Sequence, residues 1–327
     1  MEERPEGIAD AEVAAALARH WGLAVTELRY LPVGFGGYHW SAHDASGGRW
    51  FVTATDLARF DSVADLERAM STAVRLAQAG LEFVVAPVPT ASGRAACPAG
   101  SRYAITVSPF VDGTTPGRSG DPMTTADLAA VTGMLARVHA VRADPAEVPV
   151  RALELPDRAV IETSLRERAE PWQTGPYGEP TRALVNEHAA SLATALDIFD
   201  ELTAELAVSA GELVITHGEP HARNLMRSDD GLLLIDWDMA GLALPERDLW
   251  WILSDSGAEA ALYARLTGRA VSETALSLYR LRWDLSDLAE FLPWFRGPHE
   301  RSADVETAWR GLADIVGRLA GRYPGSA

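Results

Sequence analysis

An acidic residue, Glu219, stands five positions before an asparagine, Asn224, and a second carboxylate, Asp236, follows twelve residues later at the end of an apolar run. The two stretches read Thr216-His217-Gly218-Glu219-Pro220-His221-Ala222-Arg223-Asn224 and Leu232-Leu233-Leu234-Ile235-Asp236-Trp237-Asp238. Phosphoryl transfer from a nucleotide needs three such groups. One carboxylate accepts the proton of an attacking hydroxyl, and two oxygen donors hold magnesium against the phosphates. Glu219 is the candidate base, and Asn224 and Asp236 are the candidate metal ligands. Asp238 shares a face with Asp236 if the backbone there is extended, and either assists the metal or bonds to the surrounding loop. A second chemistry competes for the same segment. His217-x-Glu219-x-His221 on an extended backbone would place three metal-ligand types on one face, as a zinc or iron hydrolase uses them, but it leaves Asn224 and Asp236 unexplained.

Those residues sit in a chain of 327 residues, 47% hydrophobic, which is enough for two packed units. No apolar run reaches the roughly 18 residues that span a bilayer, so no membrane association is expected. The acidic start, Met1-Glu2-Glu3-Arg4-Pro5-Glu6, lacks an apolar signal core, and the single cysteine, Cys97, cannot form an intrachain disulfide. A cytoplasmic protein is expected, monomeric or homodimeric. Cys97 lies in a loop-like setting, Ala95-Ala96-Cys97-Pro98-Ala99-Gly100, with nothing to activate it as a nucleophile. The formal net charge of −17 opposes binding to nucleic acid and favours a cationic small molecule. Every one of the 29 basic residues is arginine. That excludes a P-loop lysine and a lysine Schiff base.

The elements that must carry this chemistry change in character along the chain. Residues 8 to 22 read as a helix, and 28 to 33, 38 to 42 and 49 to 54 as strands, with Gly34-Phe35-Gly36-Gly37 joining the first two. Residues 61 to 79 pattern as an amphipathic helix ended by Gly80, and 103 to 107 as the second arm of another hairpin. Beyond Pro109 the pattern is mainly helical, at 125 to 140, 184 to 208 and 258 to 320. Pro171 to Pro180 reads as a mobile surface loop. The expected fold class is α+β in two lobes, 1–108 and 109–327, with a cleft between them.

His217-Gly-Glu-Pro-His221-Ala-Arg-Asn224 resembles the catalytic loop of the aminoglycoside phosphotransferase family, which shares the two-lobed architecture of protein kinases. Ile235-Asp236-Trp237-Asp238 is similar to that family's metal-binding segment, Pro245-Glu-Arg-Asp248-Leu249 to the element that buttresses it, and Leu135-Ala-Arg-Val-His139 to the helix opening its larger lobe. The resemblance implies a magnesium-dependent kinase that uses ATP or GTP. It gives Glu219 the proton, Asn224 and Asp236 the metal, and His217, His221 and Asp248 structural duties. Two departures stand out. The base is usually aspartate, and Glu219 moves the carboxylate by about 1.5 Å, a shift that matters for alignment. The phosphate-pairing lysine expected near Thr53 is absent, although a partner for it, Glu67, remains. Arg59, or backbone amides around Gly34, Gly36 and Gly37, would have to meet the phosphates instead. The nucleotide base is expected against backbone groups from Ser108 through Phe110 to Val111.

Family members hold their acceptors with acidic side chains. Asp284, Asp287 and Glu290 recur every three positions and would form an acidic stripe, with Trp283, Trp294 and Phe295 as flat walls. The expected acceptor is a hydroxyl of an antibiotic, with aminoglycosides or aminocyclitols ahead of peptide and nucleoside antibiotics. The alternatives are a metabolic kinase acting on choline or a sugar, and a relative that binds without transfer.

Overall fold

The computed structural model describes residues 1–34, 36–57, 62–116, 122–208, 212–229 and 231–325. Five strands form an antiparallel sheet ordered β1-β2-β3-β5-β4. They are β1 (Val25–Leu31), β2 (Gly37–Asp44), β3 (Arg49–Asp56), β4 (Cys97–Ala99) and β5 (Tyr103–Pro109). The β2–β3 turn is set by Asp44, whose Oδ1 accepts the Ser46 and Gly48 amides at 2.8 and 2.9 Å. Oδ1 also accepts the Ser46 hydroxyl at 2.6 Å and Oδ2 the Trp50 indole N–H at 2.7 Å, and these donors, the Ser46 hydroxyl first, hold the carboxyl pKa down at about 2.

Side-chain alternation gives the sheet two faces of different chemistry. One carries Trp40, Ala42, Val52, Ala54, Ile105 and Val107, packed against Val13 and Leu17 of α1 (Asp10–Trp21). Burial of this apolar face is the main force holding the helix to the sheet. The other face aligns His39 with Thr53 and Thr106, and Ser41 with Phe51 and Ser108. Phe51 apart, it carries polar side chains, and it lies opposite the face that packs on α1.

The amphipathic helix α2 (Val63–Gln78) starts at Ser62, whose hydroxyl accepts the Asp65 amide at 3.2 Å. The helix α3 (Thr125–His139) opens with a reciprocal capping box between Thr124 and Asp127. Two short sheets follow: β6 (Val214–Thr216) pairs with β9 (Gly241–Ala243), and β7 (Leu225–Ser228) with β8 (Gly231–Leu234). The helices α4 (Arg158–Arg166), α5 (Gly178–Glu187), α6 (Ala189–Val208), α7 (Glu246–Leu249), α8 (Ala258–Thr267), α9 (Glu273–Arg296) and α10 (Ala303–Arg322) complete the set.

The chain forms two compact units, Met1–Arg151 with Glu212–Val271, and Ala152–Gly211 with Ser272–Ala327. This division does not follow the boundary expected at 108/109. The β7–β8 hairpin is bonded into the first unit: Val85 N–H donates to Leu234 O at 3.0 Å, Leu234 N–H to Phe83 O at 2.8 Å, and Thr114 and Arg227 exchange amide bonds at 3.0 and 2.8 Å. The ion pair between Arg151 and Asp65, 2.7 Å, adds to the same unit. Three smaller expectations also change. Cys97 lies buried in the short strand β4 rather than in a loop, and burial pushes its thiol pKa up, so it stays unreactive. The run expected from 184 to 208 is two helices broken at His188. The segment from Pro171 is pinned rather than loose: Trp172 N–H bonds Glu179 at 2.8 Å, Thr174 Oγ1 bonds Phe295 O at 2.5 Å, and Tyr177 N–H bonds His299 at 3.0 Å. No helix among the described residues is long and apolar enough to cross a membrane.

Candidate active site

The loop between β6 and β7 is shaped by one buried carboxylate. Asp248 of α7 is fully buried, and accepts the amide of His217 at 2.8 Å on Oδ2 and that of Gly218 at 2.6 Å on Oδ1. His139 donates to the same Oδ2 through Nε2 at 3.1 Å, and the Tyr263 hydroxyl in turn donates to His139 Nδ1 at 2.8 Å. Burial works against the charge on Asp248, but the His139 bond and the charges nearby outweigh it and hold its pKa below the usual carboxylate range. Burial first, with the Glu246 and Asp248 charges behind it, pushes the Tyr263 hydroxyl up, which keeps it a donor.

Gly218 is required here twice over. Its φ is +104°, and a Cβ at this position would lie 2.5 Å from an Arg247 guanidinium nitrogen. Arg247 needs that closeness, since it donates to Thr216 Oγ1 at 2.8 Å and to the Met239 carbonyl at 3.0 Å. His217 is wholly committed: Nδ1 accepts the Glu219 amide at 3.2 Å and Nε2 donates to Ile235 O at 2.9 Å. With both ring nitrogens bonded, His217 cannot ligate a metal. No group of three or more His, Cys, Asp or Glu among the described residues is arranged to hold one either. The hydrolase reading fails on this geometry. Desolvation drops the His217 pKa to about 4, so the ring is neutral near pH 7. His221 is also held below its usual range, by burial first. Its ring stands edge-on to Trp251 at 4.9 Å, with Nε2 3.9 Å from Glu219 Oε2.

Bonds within the loop draw the three chemical residues together. Asn224 Nδ2 donates to the Glu219 carbonyl at 3.0 Å, and Ile235 N–H donates to the Asn224 carbonyl at 3.0 Å, which sets Asp236 one residue from that contact. A short 3₁₀ turn, Ala222–Asn224, gives the asparagine its direction. Because the amide nitrogen is held by Glu219, Asn224 Oδ1 is the atom left to act as an acceptor. Asp236 is exposed, and its φ of +68° is rare for a residue with a side chain. A neutral amide oxygen and a carboxylate are hard donors, and magnesium takes one or two such protein ligands besides phosphates and water. The pair fits that ion. Asp238 is half-buried just beyond.

On the nucleotide side, Gly34 and Gly36 take φ of +72° and +89° at the mouth of β2, with Gly37 opening the strand. Phe35 and Arg59 lie outside the described residues. Two expected nucleotide contacts are otherwise engaged. Glu67 accepts the Ala95 and Ala96 amides at 2.8 and 2.6 Å, so it pins the turn before β4 instead of serving a phosphate. The Phe110 amide donates to Arg49 O at 3.0 Å and its ring lies under the Arg49 guanidinium, while Ser108, Phe110 and Val111 are all half-buried. Among the acceptor candidates, Asp284 is buried, and its Oδ1 accepts Arg318 of α10 at 2.7 Å. A three-residue step on a helix turns about 60° short of a full circle. Asp284, Asp287 and Glu290 therefore do not share one face, whereas Trp283, Asp287, Glu290 and Trp294 do, all half-buried on α9.

Comparison with known proteins agrees with this architecture. The phosphotransferase enzyme family matches residues 27–275. Protein StrN of Streptomyces griseus is 27% identical over 253 residues, 75% of either chain. Spectinomycin phosphotransferase APH(9)-Ia, crystallised with ADP and spectinomycin, is 16% identical with a TM-score of 0.73, over 96% of this chain and 99% of its own. The microcompartment-associated aminopropanol kinase is 17% identical with a TM-score of 0.64, over 96% and 97%. The two structures share the α+β, protein-kinase-like fold with this chain. The family match covers the sheet, the glycine loop, the Asp248-buttressed catalytic loop and Asp236, and so the chain belongs to the phosphotransferase enzyme family.

Proposed function

We infer that the protein transfers the terminal phosphoryl group of ATP or GTP to a hydroxyl of a small, cationic, antibiotic-like molecule. The hydroxyl oxygen forms a bond to the γ-phosphorus, the bond from that phosphorus to the β,γ-bridging oxygen breaks, and the nucleoside diphosphate leaves. The hydroxyl proton passes to the Glu219 carboxylate. Asn224 and Asp236 would hold magnesium, which would neutralise charge on the phosphates. The observation that supports this reading is the pair of bonds from the Asn224 amide to the Glu219 carbonyl and from the Ile235 amide to the Asn224 carbonyl, which ties the loop of the proposed base to the backbone just before Asp236. The backbone of that loop is held from behind by Asp248, so the geometry is set before substrate arrives. Trp283, Asp287 and Glu290 are the proposed acceptor contacts, since an acidic, aromatic helix face suits a cation.

The amino-alcohol kinase among the similar structures supports a second acceptor class, a small metabolic amino alcohol. One experiment tests the reaction and separates the two classes. The purified protein is incubated with ATP, magnesium and a panel of aminocyclitols, aminoglycosides, choline and amino alcohols, and products are read by mass for one added phosphoryl group. Glu219→Gln should cut kcat by about 10²–10⁴-fold. An unchanged kcat in that variant would remove Glu219 as the base.

A further inference from the structure

The chain contains no lysine, yet the phosphates of a nucleotide need a donor on the sheet beneath the glycine loop. At the lysine position β3 carries Thr53, which is too short to reach out from the strand. The residue directly opposite it on β2 is His39. The two side chains share the polar face of the sheet and meet, His39 Nδ1 to Thr53 Oγ1, at 3.1 Å. The imidazole therefore occupies the space over Thr53 that a long side chain would fill.

Two further contacts fix the ring. It stacks on Phe51 with centroids 5.0 Å apart and planes inclined by 27°. Side chains added at the glycines above would meet it: a Cβ on Gly34 or Gly37 would lie 3.1 or 3.2 Å from His39 Nε2. The loop is thus laid directly over the imidazole, and the missing side chains leave the room it needs. In the tautomer that carries its hydrogen on Nε2, the nitrogen turned towards the loop, Nδ1 accepts the Thr53 hydroxyl. Glu67, the helix residue that partners a strand lysine in the resembling family, is bonded to the Ala95 and Ala96 amides instead. A short rigid donor on β2 thus stands where β3 offers none.

We propose that His39, oriented by Thr53 and Phe51, donates to the nucleotide's terminal phosphates in place of the absent lysine. The proposal rests on the phosphoryl-transfer reading and specifies how that site recognises its anionic substrate. Its test is calorimetric titration of wild type, His39→Ala, His39→Gln and the His39→Ala/Thr53→Lys double variant with ATP plus magnesium and, separately, with adenosine. His39→Ala should weaken ATP binding by roughly 10- to 100-fold, the range of a hydrogen bond to a charged group, and leave adenosine unchanged. His39→Gln, which keeps a side-chain N–H, should lose less, and Thr53→Lys should restore ATP binding in the alanine background. Unchanged ATP affinity in both His39 variants, or an equal loss for adenosine, would overturn the proposal and leave phosphoryl transfer standing. A wild-type protein that fails to bind ATP would overturn both.

Discussion

Asp236 holds a backbone conformation, φ +68°, that costs a residue with a side chain roughly 1–3 kcal/mol. A chain accepts such a cost where the carboxylate's direction matters more than stability. This separates the two properties experimentally. Asp236→Ala and Asp236→Gly both remove the carboxylate and should both abolish transfer, but the glycine variant tolerates the conformation. It should be more stable than the alanine variant by about 1 kcal/mol in urea denaturation; equal stabilities would show that the backbone there is unstrained. Asp236, Asn224 and Glu219 stand out as candidates from spacing alone, because few chemistries ask for a carboxylate, an amide and a carboxylate at those intervals. Asp284 shows the opposite limit. Its type matched the stripe, but only its bond to Arg318 reveals which way it faces. His39, a histidine in a strand, carries no signal until the register puts it opposite Thr53.

At the scale of elements, the catalytic loop is carried by buried polar groups rather than by apolar packing. His217 illustrates the consequence. Its pKa is about 4 in the folded protein against 6.5 for a free imidazole, while Asp248 stays charged. Above pH 6.5 neither state holds the proton. As pH falls from 6.5 towards 4, the unfolded chain takes up a proton that the folded chain refuses, so stability is lost through that window and levels off below it. The loss should be on the order of 3 kcal/mol from this group. Unfolding free energies measured from pH 7 to 4 should fall more steeply for wild type than for His217→Gln, and parallel curves would refute the assignment. Hairpins and amphipathic helices were readable from periodicity and turn residues, as at Asp44 to Gly48 and at Gly80. Cys97 and the segment from Pro171 were not. Composition marks both as loop, but β5 recruits one as an edge strand and α9 and His299 pin the other.

For the molecule as a whole, a net charge of −17 creates a field that draws in cations. If the acceptor is cationic, its KM should rise several-fold as salt goes from about 0.01 to 1 M, over which the Debye length shrinks from about 30 to 3 Å. Replacing Asp287 and Glu290 together by asparagine and glutamine should flatten that dependence. Steady-state kinetics at varied ionic strength measure both, and a salt-independent KM in wild type would rule out electrostatic recognition.

The identity of the reaction lay in the one-dimensional string, because phosphoryl transfer demands particular functional groups and their spacing along the backbone survives into the fold. Three candidate side chains for the proposed duties are visible without coordinates. What no string discloses is which polar atoms neutralise one another across distant segments. The bonds of Asp248 to the loop amides, of Glu67 to the turn before β4 and of Asp284 to α10 depend on where the backbones come to lie. So does the meeting of His39 with Thr53, since a shift of one residue in strand pairing would have turned the imidazole into the apolar core.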